Sequence, residues 1–585
     1  MEPIIRYQGE LYQGLRALML ALGSSVNKVW IAGGLGWLLL VCGWALWSLR
    51  LPGKERAVRW WLPLLLLGIV VIRLPLLGVD EQNTDESQWV ASAGTLIADP
   101  RFWISVDGTT SGPLNVYPLT LPWFFGLSID FATIRLVGLL AFAAAVGLLY
   151  RAFANLAGSR RARIAVLPFA VAIAFMQQGD GPAYNSEHFP SLLFATILWL
   201  RSTVFWRPEP VWKTVLTGFL LGCIPYTKLQ AVPLALVLTG GIFLQLLLTT
   251  PPERRWRLLL ALTVGGLLPS GLLGIYLWQT SNFEFFYKSF LLANLGYAQK
   301  GSFGNGVQNW SEKLTVLVPV IFAAFGSTKA FFFALPAMVL AALGLVLVNP
   351  SWRRKRTGGT SDEGINPLTP RVLLVFSILW LLTALYSVLQ PGNGFYHYQI
   401  LSYIPAFWLA GLVIMLGLDA VRTGWRMPLA AGWLLLLAVG PGLILGSRRN
   451  SGIRQLIEGV RLKDSGLTAA VAQYTVPNDK MVVWGWQNKY HVWTGLLMGS
   501  RFIPLYYPVV ESELQPYFMK LHQQDIVRNR PAIIVDATAS HPGYHSFQPE
   551  WYPFMRKLLA AEYRHVGTLG GSRLFVRKDR VAPSR

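Results

Sequence analysis

The sequence contains few charged residues and only two cysteines. Of its 585 residues, 14% are Asp, Glu, Lys or Arg and 53% are hydrophobic, and the mean hydropathy is +0.43. Because soluble globular domains carry about 25% charged residues, this composition excludes an ordinary soluble fold. Cys42 and Cys223 both lie within apolar segments, where cysteine behaves as a small core residue. A disulfide framework and a cysteine-based metal site are therefore not expected.

Acidic residues are scarcer than basic ones. The chain has 29 Asp and Glu against 51 Lys and Arg, which gives a formal net charge of +22. A nucleic-acid-binding protein would concentrate such charge in one stripe or tail, but here the basic residues stand in short clusters between apolar segments. Clusters of this kind orient a chain in a bilayer, so we expect a membrane-lipid environment and no nucleic-acid partner.

Long hydrophobic runs, by contrast, are abundant. A helix that crosses a bilayer needs roughly 20 mostly apolar residues, with some tolerance for tilt. The sequence predicts about twelve such helices, and hence a polytopic α-helical membrane protein. The predicted spans are Val29–Leu49, Trp60–Leu77, Phe131–Tyr150, Ile164–Met176, Phe189–Leu200, Trp212–Tyr226, Leu229–Leu248, Leu258–Trp278, Phe331–Val348, Val372–Leu389, Ile400–Leu418 and Leu429–Leu445.

Composition divides the chain into three regions. Residues 1–58 are expected to form an interfacial segment and an extra transmembrane helix, and residues 59–446 a transmembrane domain with a large first outer loop at 79–130. Residues 447–585 are more polar, and are predicted to form a small α/β domain outside the membrane. Its predicted elements are the strand-like runs Val482–Trp484, Ala532–Val535 and Leu574–Val576 and a helical stretch near Glu511–Asn529.

Charge in the short loops predicts the orientation of the chain. Alternate loops contain basic clusters, such as those at Arg160 and Arg353, and these loops are expected to face the cytoplasm. The first loop of the opposite set has a single basic residue, Arg101, against the acids Asp80, Glu81, Asp85, Glu86, Asp99, Asp107 and Asp130. This loop and the terminal domain are therefore predicted to lie outside the cytoplasm.

The sequence NTDESQW, Asn83 to Trp89, places two adjacent carboxylates at the start of a predicted helix. Asn83 or Thr84 is a suitable N-cap, and Asp85 and Glu86 in the first turn would interact favourably with the helix dipole. That structural role would suffice for a soluble helix. Here the acids follow a transmembrane span and lie at the mouth of the predicted bundle, where ionisable residues are candidates for function.

A second outer loop, GDGPAYNSEHFP at Gly179–Pro190, brings polar side chains to the start of a span. Its candidates are Asp180, Tyr184, Asn185, Glu187 and His188. A polar turn between helices, with the histidine hydrogen-bonded at the membrane interface, explains the loop as well as a functional site does.

Two further motifs place a lysine and a histidine at the same end of the predicted bundle. Lys228, in GFLLGCIPYTKLQAVP, falls between two apolar runs, and it could be a snorkelling anchor or the contact of an anionic partner. In GNGFYHYQI, Tyr396, His397 and Tyr398 precede a span. Tyrosine is ordinary at this depth of a membrane, whereas histidine is less so.

Acids, a lysine and a histidine at one membrane face suit the transfer of a group from a lipid-linked phosphate. A carboxylate can remove a proton from an acceptor hydroxyl while cations hold the phosphate that leaves. The leaving phosphate needs no general acid, so one base is sufficient, whereas most glycoside hydrolases need two carboxylates. A divalent cation could assist the acids, but no ligand spacing in the sequence is diagnostic of one and no metal ligand is assigned.

These motifs resemble those of the GT-C glycosyltransferases, in the branch that includes protein O-mannosyltransferases and lipid A aminoarabinose transferases. The resemblance covers roughly Trp60–Leu445, and the Asp-Glu pair is its most specific mark. It implies an enzyme of a bacterial cytoplasmic membrane, with a GT-C fold and an active site on the periplasmic face. The implied activity is inverting transfer of a sugar from a polyprenyl-phosphate donor to an extracytoplasmic hydroxyl on a cell-envelope glycan, a lipid or a protein.

The resemblance also implies roles for individual residues. The catalytic base of the family falls on Asp85, and its Thr-Lys pair, whose lysine contacts the lipid phosphate, falls on Thr227 and Lys228. His397 is expected to be a second phosphate or substrate contact. The expected substrate-binding residues are Glu86, Asp107, Tyr184, Glu187, His188, Lys228, Tyr396, His397 and Tyr398.

One motif of the family is replaced, which leaves the acceptor open. Ser111, Gly112 and Pro113 stand where relatives usually have a basic motif in the first outer loop. The terminal domain, with VVWGWQNKYHVWTG, is similar to outer domains of bacterial members, and we expect it to cover the site or select the acceptor. A transporter or flippase of lipid-linked sugars and a non-catalytic scaffold are the alternatives. Transporters usually contain inverted repeats, and the sequence shows none.

Overall fold

The computed structural model describes residues 4–22, 26–50, 59–176, 180–203, 209–318, 340–341, 343–344, 370–420, 427–434, 466–540 and 544–581. Within these residues, six helices are long and apolar enough to cross a membrane. They cover Ala32–Leu49, Phe131–Ala157, Leu229–Thr249, Pro252–Gln279, Arg371–Leu389 and Tyr396–Leu418, and shorter apolar helices cover Trp61–Leu77 and Val211–Tyr226. The predicted polytopic helical fold is confirmed.

Helices account for most of the described chain up to residue 420. They are α1 (Glu10–Leu22), α2 (Val26–Leu49), α3 (Trp61–Leu77), α4 (Thr84–Ala98), α5 (Pro113–Val116), α6 (Leu121–Phe124), α7 (Phe131–Ala157), α8 (Ser159–Phe175), α9 (His188–Ser202), α10 (Val211–Cys223), α11 (Val232–Thr249), α12 (Pro252–Gln279), α13 (Phe283–Phe285), α14 (Asn294–Lys300), α15 (Trp310–Glu312), α16 (Pro370–Leu389) and α17 (Tyr403–Ala420). Ten of the predicted spans coincide with these helices, and α2 is the predicted extra one. The predicted spans Phe331–Val348 and Leu429–Leu445 extend outside the described residues.

Short turns of other helical types connect these elements. Segments of 3-10 helix lie at Tyr117–Thr120, Ile224–Tyr226, Leu229–Ala231, Ser302–Gly304 and Tyr396–Ser402, and segments of π-helix at Phe286–Ala293 and Lys313–Leu317. Two of them, Ile224–Tyr226 and Leu229–Ala231, interrupt the passage from α10 to α11. Thr227 and Lys228 lie between these two turns. Because the helix is interrupted there, their side chains can point into the end of the bundle.

Two helices of the bundle pack backbone to backbone. Glycines permit this approach of α10 and α12: a Cβ added to Gly218 would lie 2.2 Å from the carbonyl oxygen of Leu262, and one added to Gly222 would lie 2.2 Å from that of Gly266. Small residues are a common means of close helix packing in membranes. Because α10 leads into the turn that carries Lys228, this contact helps to fix where the lysine leaves the bundle.

The first outer loop is anchored at both of its ends by side-chain caps. Helix α4 begins at Asn83, whose Oδ1 accepts hydrogen bonds from the N–H groups of Asp85 and Glu86 at 3.0 Å each, as the sequence predicts. At the other end, Asp130 and Thr133 form a reciprocal capping box at the start of α7. The loop therefore enters and leaves the bundle at defined points.

The terminal region forms a five-stranded sheet flanked by helices. Its strands are β1 (Lys480–Trp484), β2 (Leu497–Met498), β3 (Ile533–Asp536), β4 (Tyr563–Leu569) and β5 (Ser572–Arg577), in the order β2-β1-β3-β5-β4. Strand β1 pairs in parallel with β2 and β3, and β5 pairs antiparallel with β3 and β4. The helices are α18 (Leu467–Ala472), α19 (Lys489–Thr494), α20 (Gln515–Asn529) and α21 (Pro553–Glu562), with 3-10 turns at Thr538–Ser540, Pro549–Trp551 and Lys578–Arg580. The predicted α/β fold is confirmed, and the three predicted runs fall in β1, β3 and β5.

The terminal domain packs directly on the first outer loop. The N–H of Met498 in β2 donates to Thr95 Oγ1 of α4 over 3.2 Å. The carbonyl of Arg501 accepts from the N–H of Asp107 at 2.8 Å, and its guanidinium donates to the Trp103 carbonyl at 2.9 Å. Apolar side chains of both regions also form one buried cluster. The domain and the loop therefore make a single body at the end of the bundle.

Candidate active site

A cavity of about 430 Å³ lies where the bundle, the first outer loop and the terminal domain meet. Asp85 lines it from α4, Lys228 from the connection between α10 and α11, and His397 from the 3-10 helix before α17. Trp486 and Tyr507 line it from the terminal domain. The structure thus brings together three sequence-predicted site residues that are far apart in the chain.

Asp85 stands in the first turn of α4, next to the Asn83 cap. The Asn83 amide also donates to Asn185 Oδ1 over 3.1 Å, which ties the cap to the second outer loop. The Asp85 side chain is 32% exposed, and it lines the cavity. Loss of hydration in this enclosure raises the pKa of the carboxyl above its usual range, and the nearby charges of His397 and Lys228 oppose that shift.

Glu86, the second acid of the pair, lies inside the protein and does not line the cavity. It forms a two-point ion pair with Arg135 of α7, with Oε1 2.7 Å from Nε and Oε2 2.5 Å from Nη2, and both side chains are fully buried. The guanidinium also donates to the carbonyls of Leu76 and Asp80 at 3.3 and 2.9 Å. This arrangement joins the end of α3 to the start of α4, and so holds in place the turn that carries Asp85.

His397 lies between two carboxylates at the cavity wall. Its Nδ1 is 2.9 Å from Asp180 Oδ2, and its Nε2 is 3.9 Å from Asp85 Oδ2. The imidazole stacks on the Phe395 ring with centres 5.8 Å apart and meets the Tyr398 ring edge-on at 4.8 Å. Ring packing and the contact with Asp180 therefore fix the imidazole with its second nitrogen toward Asp85.

Lys228 is an extended residue between the two 3-10 turns that connect α10 to α11. Its buried ammonium contacts the Glu187 carboxylate and donates to Ser186 Oγ over 2.8 Å. It also lies 4.7 Å from the centre of the Tyr398 ring, within the range of a cation–π interaction. A buried lysine needs such partners to remain charged. The lysine is thus held at the cavity wall by groups that stabilise its positive charge.

The segment that stands in place of the family's basic motif packs on the Lys228 turn. Ser111 and Lys228 form a backbone bridge, and the Gly112 N–H donates to the Thr227 carbonyl over 2.9 Å. A Cβ on Gly112 would lie 2.1 Å from the Tyr226 carbonyl oxygen, so a larger residue does not fit there. This segment therefore supports the turn that carries the lysine and brings no charge of its own to the cavity.

Two of the predicted substrate-binding acids lie behind the cavity wall. Glu187 is buried against Lys228. Asp107 is also buried, and its two oxygens accept the Ser289 hydroxyl at 3.1 and 3.2 Å. Burial raises the pKa of Asp107 to about 7, and the hydrogen bond from Ser289 opposes the shift. Glu187 contacts the lining through Lys228, and the roles of both acids in binding stay predictions.

Three predicted aromatic and histidine residues also lie outside the cavity lining. Tyr184 and His188 stack with ring centres 5.3 Å apart, and the Tyr184 hydroxyl donates to the Asn115 carbonyl over 2.7 Å. Tyr396 packs, partly buried, against the core of the bundle. Tyr398, in contrast, lines the cavity, and its hydroxyl lies 2.6 Å from that of Tyr297. Binding roles for all four predicted residues of this group remain predictions.

Several lining residues were not predicted as part of the site. The aromatic ones are Trp89, Tyr297, Phe395, Trp486, Tyr506 and Tyr507. The chain contains 24 Trp and 21 Tyr, so an aromatic residue by itself carries no signal of function. Three of them lie in motifs that the sequence singles out for other residues: Trp89 in NTDESQW, Phe395 in GNGFYHYQI and Trp486 in VVWGWQNKYHVWTG.

A role for a divalent cation stays a prediction. Within the described ranges, no group of three or more His, Cys, Asp or Glu side chains is placed to hold a metal ion. The acids near the cavity are paired with cationic groups instead, Asp180 with His397 and Glu187 with Lys228.

Comparison with known proteins shows the fold of the chain. No protein-family model matches it, and no curated protein sequence matches it. Among solved structures, it is similar to ArnT from Cupriavidus metallidurans bound to undecaprenyl phosphate, with a TM-score of 0.55 and 14% identity, covering 90% of this chain and 99% of that one. ArnT in the apo state gives a TM-score of 0.54 and 13% identity, covering 90% and 100%.

A weaker likeness links the chain to an archaeal protein. The apo oligosaccharyltransferase of Archaeoglobus fulgidus gives a TM-score of 0.46 and 13% identity, covering 88% of this chain and 74% of that one. The two ArnT structures, in contrast, match over almost the whole of both chains. The chain therefore shares its fold with the two ArnT structures.

Proposed function

We propose that the protein is a glycosyltransferase that moves a sugar, with inversion, from a polyprenyl-phosphate donor to a hydroxyl acceptor outside the cytoplasm. The observation that carries this proposal is that Asp85, His397 and Lys228 line one cavity at the end of a helical membrane bundle. A carboxylate with cationic side chains in one enclosure supplies the groups that this transfer requires. The ArnT structure that shares the fold was solved with undecaprenyl phosphate bound, which supports a donor of the same class.

In the proposed reaction, Asp85 removes the proton of the acceptor hydroxyl. The acceptor oxygen attacks the anomeric carbon from the side opposite the phosphate, so a new C–O bond forms while the bond from that carbon to the phosphate oxygen breaks. The electron pair of the broken bond leaves with the phosphate, and the configuration at the carbon inverts. The products are the glycosylated acceptor, free polyprenyl phosphate and a protonated Asp85, which returns its proton to solvent.

Lys228 is proposed to hold the phosphate as it leaves. Its ammonium keeps Glu187 and Ser186 as partners within the protein and lines the cavity from the bundle side. A phosphate carried by an isoprenoid chain in the bilayer reaches the cavity from this side, because the bundle is the part of the molecule in contact with lipid. His397, when protonated, adds a second positive group beside it.

The surroundings of Asp85 suit a general base. Its raised pKa makes the carboxylate more basic than an exposed aspartate, while the charges of His397 and Lys228 favour its ionised form. Asp180 is a positioning residue, because it acts on Asp85 through His397. Its contact with His397 Nδ1 directs Nε2 toward Asp85, so the imidazole is held where both the base and the leaving phosphate need it.

We propose that the cavity opens on the extracytoplasmic side of a bacterial cytoplasmic membrane. Helix α7 begins next to the cavity and ends far from it, where Arg160 and Arg161 follow in the first turn of α8. Helix α11 likewise starts near Lys228 and ends before Arg254 and Arg255 of α12. Basic residues at the ends of helices mark the cytoplasmic face, which supports an outward-facing cavity.

Sugar transfer by the purified protein in detergent tests the proposal. With a synthetic polyprenyl-phosphate sugar as donor and an envelope extract as acceptor, Asp85→Asn should leave the protein folded and abolish transfer. Asp99→Asn is the matched control, because Asp99 caps the other end of α4, pairs with Arg101 and does not line the cavity. Unchanged transfer by the Asp85 variant would exclude this residue as the base.

The same assay separates the enzyme from the alternative of a lipid-linked sugar transporter. A transporter moves its cargo across the bilayer without breaking the bond between sugar and phosphate. Free polyprenyl phosphate is therefore produced by the enzyme and not by the transporter. If the parent protein releases this product and Asp85→Asn does not, the protein is an enzyme and not a transporter.

A further inference from the structure

Three aromatic side chains of the terminal domain form one wall of the cavity, which we call the aromatic wall: Trp486, Tyr506 and Tyr507. Trp486 follows strand β1, and the two tyrosines lie between β2 and α20. Trp89 of α4 adds a ring from the first outer loop. These residues belong to the terminal domain and the first outer loop, whereas Lys228, which is assigned to the donor phosphate, lines the cavity from the bundle side.

The aromatic wall is supported by further rings behind it. Tyr507 stacks on Phe518 of α20 with centres 5.1 Å apart, and its ring meets that of Tyr506 at 5.4 Å. Trp486 packs edge-on against Tyr544 at 6.1 Å. Rings that are held in this way lose little conformational freedom when a ligand binds. The aromatic wall is therefore organised as a binding surface before any ligand arrives.

The described lining offers no lysine or arginine beyond the one assigned to the donor phosphate. That residue is Lys228, and His397 is proposed to contact the same donor phosphate. An acceptor that carried phosphate would need a further positive group, because proteins bind phosphate chiefly through arginine and lysine. The charge of the lining therefore favours an uncharged acceptor.

In the described part of the structure, no edge of the sheet is open to the cavity for an extended peptide. Extended peptides commonly bind by pairing with the edge of a sheet. Of the two edge strands, β2 is held against α4 by the bond from Met498 to Thr95, and β4 contributes no residue to the lining. The backbone groups that would hold an extended peptide are therefore not presented to the cavity.

We propose that the aromatic wall is the acceptor site and that the acceptor is an uncharged carbohydrate. The C–H groups on one face of a sugar ring are weakly positive, and they pack on the negative face of an aromatic ring. A sugar that stacks on Trp486 or Tyr506 lies in the same cavity as Asp85, so its hydroxyl groups are within the enclosure of the base. This inference rests on the proposed function and names the substrate class of the same site.

Saturation-transfer NMR on the full chain in phosphatidylcholine nanodiscs tests the inference. The probes are neutral trisaccharides of glucose, of mannose and of N-acetylglucosamine, together with mannose 6-phosphate and a threonine-containing hexapeptide. At least one trisaccharide should receive magnetisation from the protein and bind more tightly than the phosphorylated sugar and the peptide. Trp486→Ala should weaken that binding about tenfold, because the stacked ring is lost.

Two further variants make the result specific to the wall. Trp486→Phe keeps a ring and should recover most of the binding, which guards against misfolding of the alanine variant. Trp551→Ala is the matched control, because Trp551 is a 57% exposed tryptophan of the same domain that does not line the cavity. Preferred binding of the phosphorylated sugar or the peptide, or unchanged trisaccharide binding by Trp486→Ala, would overturn the inference.

Binding of undecaprenyl phosphate in the same nanodiscs separates this inference from the proposed function. If the parent protein binds the lipid phosphate but no neutral sugar, the acceptor assignment alone fails. If it does not bind the lipid phosphate, the proposed function fails as well. The bound trisaccharide is also tested when attached to a nanodisc lipid: tighter binding than that of the free sugar would identify a glycolipid acceptor, and equal binding a soluble glycan.

Discussion

Asp85 and Glu86 are neighbours in the chain, yet their carboxylates lie in different environments. Asp85 lines the cavity with 32% of its side chain exposed, whereas Glu86 is fully buried against Arg135. Successive side chains of a helix point about 100° apart, and here this rotation turns one acid toward the cavity and the other into the protein. One acidic pair therefore supplies both a group for the proposed chemistry and the ion pair that holds this group in place.

We expect Glu86→Gln to lower the thermal stability of the protein, whereas Asp85→Asn should not. Removing one partner of a buried ion pair costs about 3–5 kcal/mol, because the other charge is left without compensation. Thermal unfolding of the purified variants in detergent measures the difference. Adding Arg135→Gln to Glu86→Gln should restore part of the loss, and equal melting temperatures for the two single variants would contradict the structural role of Glu86.

Lys228→Met should weaken the binding of undecaprenyl phosphate by tenfold or more. A hydrogen bond to a charged group contributes about 1.5–3 kcal/mol, which corresponds to roughly one to two orders of magnitude in affinity. Lys288→Met is the matched control, because Lys288 is a more exposed lysine that pairs with Glu284 outside the cavity. Binding of undecaprenyl phosphate is measured in detergent. Normal binding by the Lys228 variant would exclude this residue from the phosphate site.

Transfer should decline on acidification at a higher pH than an ordinary aspartate would cause. Loss of hydration raises the pKa of Asp85 above its usual value of about 4, so its basic form disappears earlier as the pH falls. The charge of Lys228 lowers the same pKa, and its removal therefore raises it. The acid limb of the kcat profile of Lys228→Met should move toward higher pH, and a move toward lower pH would count against Asp85 as the titrating base.

Asp180→Asn should retain more activity than Asp180→Ala. The amide oxygen of asparagine still accepts a hydrogen bond from His397 Nδ1, whereas alanine leaves the imidazole without this partner. If Asp180 positions the imidazole, the alanine variant should lose about tenfold or more in kcat with little change in KM for the donor. Equal losses in both variants, or a loss confined to KM, would exclude the positioning role.

Local patterns in the sequence predict the helices and the apolar strands. The residues of β1, β3 and β5 are mostly buried, so their apolar character is visible within a short window. Strand β4 was not predicted, because it lies at the sheet edge and exposes Arg564 and His565, which gives it a polar composition. Strand β2 is only two residues long, too short for any pattern.

The candidate site is predictable only where a side chain is unusual for its own surroundings. Asp85, Lys228 and His397 stand out because each is an ionisable residue beside an apolar span. The contact of Asp180 with His397 joins two loops that are far apart in the chain, and nothing local to either residue indicates it. The aromatic wall likewise depends on how the terminal domain docks, which is set by long-range contacts such as that of Met498 with Thr95.

The shared cavity has a consequence for the biogenesis of the protein. A bundle whose terminal domain had not yet docked would lack Trp486 and Tyr507, and its Asp85 and Lys228 would meet bulk water. Docking of the terminal domain therefore completes the enclosure, so that folding of this domain has to precede any activity that depends on a closed cavity.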